Sequence, residues 1–505
     1  MDVFLAVDLG TTGLKVTLVE ASGEILSSEY EGYPFASPQD GYAEQDPELW
    51  WSGLVKCGQT LQRKFPDRMS RLLGVGICGQ MHTQVYLGGD MDILRPSITW
   101  MDQRSSSIAA RINQDPEAKA LVFRETKNFA TTTYTALQMK WVQENQADVW
   151  NRLNHVLVAK DFLKYRMTGE MATDYSDAAG TLLFDVEKCR WSEEMFRFFG
   201  FSPSLLPLVL PSDEIIGNVT REASEKTGIP EGTPVVNGCA DQTAASLGAG
   251  VVRPGQVTAV IGTAGVISVC SDRPLPDTKN RILCWNYCLR DKWVILGIMQ
   301  TAGESLNWFK KAFDPSQNAK EVSSDVFEVY NRIVSAVPDG SDGLIFLPYL
   351  NGERTPYWDP DARGVFFGIG LSTGKAHFIK AIMEGVCFGL RNNVETVEDL
   401  GIEINEIRSI GGVSKSTVWL HILAKILRKP IKTIRVKDAG LLGSIILCGK
   451  ALDIYPSVEE AVEDMVISDH EICYEKPEPV YEKQYRLFLD LYNHLSEAFK
   501  KAAAR

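Results

Sequence analysis

Two short stretches of the chain share a pattern and differ by one carboxylate. Residues 6–19 read AVDLGTTGLKVTLV and residues 259–270 read AVIGTAGVISVC. Each runs apolar, then Gly-Thr-x-Gly, then β-branched. Aligned on the glycines, Asp8 falls opposite Val260. Glycine lets backbone N–H groups approach an anion, and threonine adds a hydroxyl donor. Two such turns facing each other across a cleft would grip a polyphosphate from both sides. One carboxylate then suffices: Asp8 would hold a magnesium ion, directly or through its water shell. A second would repel the phosphates, since like unit charges ~4 Å apart interact by about 4 kcal/mol at intermediate dielectric. Either turn alone would be an ordinary Gly-rich β-turn. Their repetition in matching contexts favours phosphate binding.

Asp241 is the strongest single candidate for acid–base chemistry. It follows the apolar PVVNGCA and precedes the small-residue run QTAASLGAG. A carboxylate at a strand-to-helix junction can accept a proton from an alcohol, and small neighbours leave room for a substrate. The same position suits a helix N-cap, and the two roles are compatible. His82, in GQMH, closes a buried strand close to Gln80. Strand ends are where α/β folds place ligand groups. A hydrogen-bonded structural histidine explains His82 equally well. The cluster from Trp100 to Arg104 follows a short strand, and a surface pair of Asp102 with Arg104 is the bland alternative. Residues 348–369, PYLNGERTPYWDPDARGVFFGI, read as an ordered loop at the cleft, with Glu353 and Arg354 in structural salt bridges.

The elements that must position these groups follow from periodicity. VFLAVDL and LKVTLVE read as a hairpin and ILSSEYEGY as a third strand. Asp46-Pro47 opens a helix as N-cap and first helical residue. RLLGVGICG and TQVYLGGD read as strands, and residues 115–199 as mostly helical. The second half repeats the order: a hairpin around AVIGTAGVISV, further strands in residues 281–299, then helices. EIRSIGGVSKSTVWLHILAKIL reads as strand, glycine turn and amphipathic helix, and residues 483–505 as a closing helix. The repeat unit is therefore half a chain. It implies two α/β lobes, residues 1–247 and 248–505, facing a cleft where a ligand would sit. Gly74-x-Gly76-x-x-Gly79 matches a dinucleotide fingerprint, but turn and strand residues follow it where a helix should open. GxxxxGK[ST] is absent.

A length of 505 residues suits two or three domains. A net charge of −13 argues against a nucleic-acid partner. The ten cysteines are scattered; Cys284 and Cys288 lack the second pair that would complete a zinc set. Reduced, largely buried thiols and a cytoplasmic location are expected. The start carries no signal-peptide pattern, and no apolar run nears the ~20 residues of a membrane span. The sequon at Asn218 is then idle.

Several motifs in order resemble the FGGY carbohydrate kinases, and within them the xylulokinases. They are DLGTTGLK, GQMH with LRPSITWMDQR, MTGEMATDYSDAAGTLLFDV, FLPYLNGERTPYWDPDARGVFFG and GVFFGIGLSTGKAHFIKAIMEG. The resemblance spans residues 3–450. It implies a two-lobed actin-like ATPase fold, each lobe with a ribonuclease-H-like core. It implies Mg2+-dependent transfer from ATP to a sugar hydroxyl, with D-xylulose as the expected sugar. A ribulose, gluconate, glycerol or a related polyol is the alternative, and a non-catalytic ATP-binding member of the superfamily is a more distant one. By this resemblance Asp241 is the base and Asp8 the metal-associated carboxylate. Gln80, Met81, His82, Asp102 and Gln242 lie on the sugar side. Thr11, Thr12 and Lys15 fall on one phosphate hairpin and Gly262 and Thr263 on the other. Gly303, Gly411, Gly412 and Ser416 fall where the family holds the nucleotide. Family analogy also suggests a homodimer. Four departures stand out: Gln138 replaces a lysine, Met101 replaces an Asn, CADQ replaces GGDN, and GGVSKS replaces a triple glycine.

Overall fold

The computed structural model describes residues 2–313, 326–435, 438–474, 476 and 478–503. The last two residues of the expected closing helix lie outside these; the helix itself spans Pro479–Ala503. The strand Val3–Leu9 is buried on both faces except at Asp8, as befits a central strand. It pairs antiparallel with Gly13–Glu20 and parallel with Leu72–Gly79. Ile25–Gly32 extends one side, and Pro234–Val236 and Ile215–Asn218 the other. The second sheet is built the same way. Gln256–Ile261 pairs antiparallel with Gly265–Ser271 and parallel with Glu406–Ile410. Trp293–Met299 and Leu283–Asn286 extend one side; Ile431–Ile434 and Ser468–Ile472 extend the other.

The repeat seen in sequence is thus a repeat of register. Asp8 lies opposite Lys15 on one neighbour and Cys78 on the other. Val260 lies opposite Val266 and Ile410. An Asp–Lys cross-strand pair in one lobe is a Val–Val pair in the other.

Two helices cross between the lobes. Asp241–Gly248 follows the first sheet, yet its Ala245 and the adjoining Ala249 pack with Val260, Ile410 and Ile434 of the second. Ala439–Ala451 follows the second sheet, yet Leu441, Ile445 and Cys448 pack on Phe4, Ala6, Val19 and Val236 of the first. Glycines permit the crossing. A Cβ on Gly248 would lie 1.8 Å from the Ala439 carbonyl oxygen, and one on Gly443 2.1 Å from that of Ala244. Gly76, from the apparent dinucleotide fingerprint, has the same purpose: its Cβ would sit 2.4 Å from the Ser444 carbonyl oxygen.

Asp46 caps the helix Pro47–Lys64 by accepting from the Glu48 N–H at 3.0 Å, as its sequence predicts. The region 115–199 holds the expected helices and four short strands that periodicity missed, among them His155–Val158 and Ala172–Asp174. Runs of two to four residues are too short to show a period. This region leans on the second lobe. Asn128 donates to the Cys284 carbonyl at 2.8 Å and accepts from the Cys284 N–H at 3.0 Å. All ten cysteines are free thiols, eight of them buried. Among the described residues, no helix is long and apolar enough to cross a membrane.

Candidate active site

Three carboxylates from three elements meet near the first hairpin. Asp8 lies one residue before the end of the central strand, Asp241 opens the helix Asp241–Gly248, and Asp438 caps the helix Ala439–Ala451. Burial and the charge of Asp438 push the Asp8 pKa up to about 6. Burial, and then the charge of Asp8, push Asp241 up to about 7, against the pull of the Gln242 N–H donated to its Oδ1 at 2.7 Å. Lys15 bridges the lobes by pairing with Asp438. Asp241 is not an N-cap: Ala240 holds that position, and Asp241 is the first helical residue. That leaves its carboxylate for other work.

The hairpin itself is braced. Gly10 N–H donates to the Gly13 carbonyl at 3.0 Å, and Tyr33 Oη donates to the Gly10 carbonyl. Thr12 is exposed at the tip, its carbonyl accepting from Tyr33 N–H and Tyr30 Oη. Trp100 Nε1 donates to Thr11 Oγ1 at 3.0 Å, tying the segment from Trp100 to Arg104 to the hairpin.

Around His82 the structure gathers residues from both halves of the chain. His82 has a left-handed backbone (φ 65°), and its Nδ1 lies 2.6 Å from the Gly180 carbonyl oxygen. The carbonyl only accepts, so Nδ1 bears the proton and Nε2 is left as an acceptor. Burial lowers the His82 pKa to about 4, with a further push from the positive charge of Arg354. Tyr134 and Trp285 meet the ring edge-on, with centroids 5.5 and 5.3 Å away. Sequence reasoning missed Tyr134 and Trp285 and placed Arg354 in a structural salt bridge. Among the described residues, the Arg354 guanidinium has no hydrogen-bond or ion-pair partner. Glu353 instead accepts from the Gln300 and Arg354 N–H groups at 2.7 Å each.

Met81 is buried beside His82, and Gln242 has an Oε1 without a hydrogen-bond partner. Asp102 and Gln80 differ from expectation. Asp102 is fully buried, and its two oxygens accept four hydrogen bonds, three from Arg104 and one from the Ala43 N–H at 2.6 Å. No lone pair remains for a sugar. Nor is this a surface pair: Arg104 stacks on Tyr42 at 4.0 Å and Trp141 at 4.9 Å. Gln80 is 1% exposed, and its amide donates to Gln45 and accepts from Thr83. It links the segment internally. Gln138 bridges the Thr99 and Thr132 carbonyls, at 3.0 and 3.2 Å, and so supports the strand end before Trp100.

A cavity of about 570 Å3 opens beside the second hairpin. It brings together Gly262, Thr263, Gly303, Gly412 and Ser416. A Cβ on Gly303 would clash with the Gly262 carbonyl oxygen at 2.6 Å. Gly411 adjoins it with φ 93° and lies under Ile261. Ser416 caps the helix Thr417–Leu427 and donates to Asn331 Oδ1 at 2.7 Å. Asn331 and Trp419, which also line the cavity, carried no signal in the sequence.

Residues 3–248 match the N-terminal domain of the FGGY family of carbohydrate kinases, and residues 257–452 match its C-terminal domain. The chain belongs to this family. The kinase is 31% identical to a xylulose kinase of Bacillus subtilis over 495 residues, 98% of this chain and 97% of the relative. It is 30% identical to a gluconokinase of the same organism over 498 residues, 97% of this chain and 95% of the relative. Among solved structures, a xylulose kinase from Rhodospirillum rubrum superposes with a TM-score of 0.88 at 26% identity, covering 99% of this kinase and all of the other chain. The two-lobed α/β architecture is that of the actin-like ATPase fold, as the resemblance implied.

Proposed function

We propose that this kinase transfers the γ-phosphoryl group of ATP to the terminal hydroxyl of D-xylulose. The observation that carries the reaction is Asp241: a carboxylate at a helix start, uncommitted as a cap, with its pKa raised to about 7. A base poised near neutrality takes a proton most effectively at working pH. Residues 1–247 would supply the sugar site and the base, and residues 248–505 the nucleotide site.

In this reading Asp241 orients the sugar hydroxyl and accepts its proton as the oxygen attacks the γ-phosphorus. The bond from the γ-phosphorus to the bridging oxygen breaks, and ADP leaves. The transition state is loose, so placement and charge neutralisation supply most of the rate. The Gly-Thr turns and Lys15 would hold the phosphates, with the adenosine in the 570 Å3 cavity. Asp8 fits a magnesium site: it is a hard oxygen donor in a pocket crowded with negative charge and holding one lysine. A magnesium ion bound beside Asp8 would neutralise the phosphate oxygens. His82 Nε2 and the free Oε1 of Gln242 would accept from sugar hydroxyls, and Arg354 would donate.

The similarity to xylulose kinases favours D-xylulose. The near-equal similarity to a gluconokinase, with the unpaired Arg354 that would suit a carboxylate, supports gluconate as the second reading. ADP release with Mg-ATP over D-xylulose, L-xylulose, D- and L-ribulose, gluconate and glycerol tests both. D-xylulose should lead. A gluconate rate above it would replace the first reading with the second. No stimulation by any sugar, with ATP still bound, would overturn both.

A further inference from the structure

We propose that the short helix Tyr175–Ala179, with its two flanks, is the positioning clamp of the active site: Ser176 fixes the backbone of Ala240, the residue before Asp241, and Gly180 fixes the ring of His82. The proposal rests on Asp241 being the base. Ser176 Oγ lies 2.5 Å from Asp174 Oδ2 and accepts from the Ala240 N–H at 3.0 Å. Asp174 accepts, so the serine proton points at it and a serine lone pair faces Ala240. The next peptide, which joins Ala240 to Asp241, is held by Thr243 Oγ1, which donates to the Ala240 carbonyl at 2.8 Å. Asp241 is the next residue. At the far end of the helix, the Gly180 carbonyl accepts from His82 Nδ1 at 2.6 Å. One segment therefore sets the base and the sugar-side imidazole relative to each other.

The clamp is anchored in a fully buried charge cluster. Lys160 Nζ lies 2.9 Å from Asp174, 2.8 Å from Asp161 and 3.0 Å from Asp177. Lys164 reaches Asp161 at 2.8 Å and the Asn237 carbonyl at 2.9 Å. Buried ion pairs are poor stabilisers compared with apolar packing. What this cluster provides is direction: Asp174 is held on one oxygen by Lys160 and on the other by Ser176 and Ser212.

Ser212 supplies the control. Its Oγ donates to the same Asp174 oxygen at 3.1 Å but does not touch Ala240. Ser176→Ala and Ser212→Ala each remove one hydroxyl from the cluster, and only the first frees the Ala240 peptide. We expect Ser176→Ala to lower kcat ~10- to 100-fold, the scale of a misplaced catalytic group. The acidic limb of its pH–rate profile should move to lower pH as Asp241 gains water. Mg-ATP affinity should stay within about twofold, and Ser212→Ala should keep kcat within about threefold at a similar melting temperature. Equal kcat losses in the two variants, or an unmoved pH limb in Ser176→Ala, would overturn the clamp. If Ser176→Ala does not fold, Thr243→Val loosens the neighbouring peptide, between Ala240 and Asp241, and must shift the same limb. Asp241→Asn separates the two readings. Full turnover in that variant removes the base, whereas its loss beside a wild-type Ser176→Ala removes only the clamp.

Discussion

Asp241 is held in a state that water alone would not give it. Folding raises its pKa from 3.8 to about 7, so the folded chain binds this proton more tightly than the unfolded one. The group's contribution to stability is fully present below about pH 4 and is lost as pH rises through 7. Asp241→Asn should therefore melt above the wild type, by a margin that grows from pH 5 to pH 8 in thermal scans. The same variant should lose ~10²- to 10⁴-fold in kcat while binding Mg-ATP normally by calorimetry. Wild-type turnover should climb through about pH 7 as the base is freed. Asp177, in the cluster that anchors the clamp, presents the same physics. Burial pushes its pKa well above the usual carboxylate range, against the pull of Lys160 at 3.0 Å. Asp177→Asn should gain melting temperature relative to wild type as pH rises. Asp8, Asp241 and His82 could be singled out as candidates in sequence because each sits at a junction defined by its own neighbours. The setting of Asp102 could not be read in the same way. Its partners are the Ala43 N–H, 59 residues away, and Arg104, which the distant rings of Tyr42 and Trp141 cover. Trp285 and Arg354 were missed as pocket residues because only the folded chain brings them to His82.

At the level of elements, glycine spacing in the strand Leu72–Gly79 reports a helix more than 360 residues later. The strand's Gly74 and Gly76 face Ala439–Ala451, which no local pattern could show. The two positions should differ on substitution. In Gly76→Ala the new methyl meets backbone, the Ser444 carbonyl at 2.4 Å, so strand and helix must part. We expect a loss of about 1–3 kcal/mol in denaturant melts. In Gly74→Ala it meets the Cys448 and Leu452 side chains at 2.9 Å, which can turn aside. That loss should be the smaller one. The hairpins, by contrast, were legible from their alternation and their Gly-Thr turns, because a hairpin is closed by its own residues.

At the scale of the molecule, each sheet is covered by a helix that follows the other sheet. A fragment of residues 1–250 would keep the first sheet and lack the helix that seals Phe4, Ala6 and Val236. Expressed alone, either half should be insoluble. Co-expressed as 1–250 and 251–505, the halves should co-purify and recover sugar-stimulated ADP release. Independent solubility of the first half would contradict the exchange of helices. The exchange also says something about descent. A gene encoding one half could not have made a sealed protein by itself; two copies would have had to trade helices as a symmetric pair. Both turns of such a pair would bear the same residue, so a carboxylate at one would be a carboxylate at both. Only after fusion into one reading frame could Asp8 be kept on one side while Val260 arose on the other. The asymmetry of the cleft then requires two halves that differ, which a symmetric pair of identical chains could not supply.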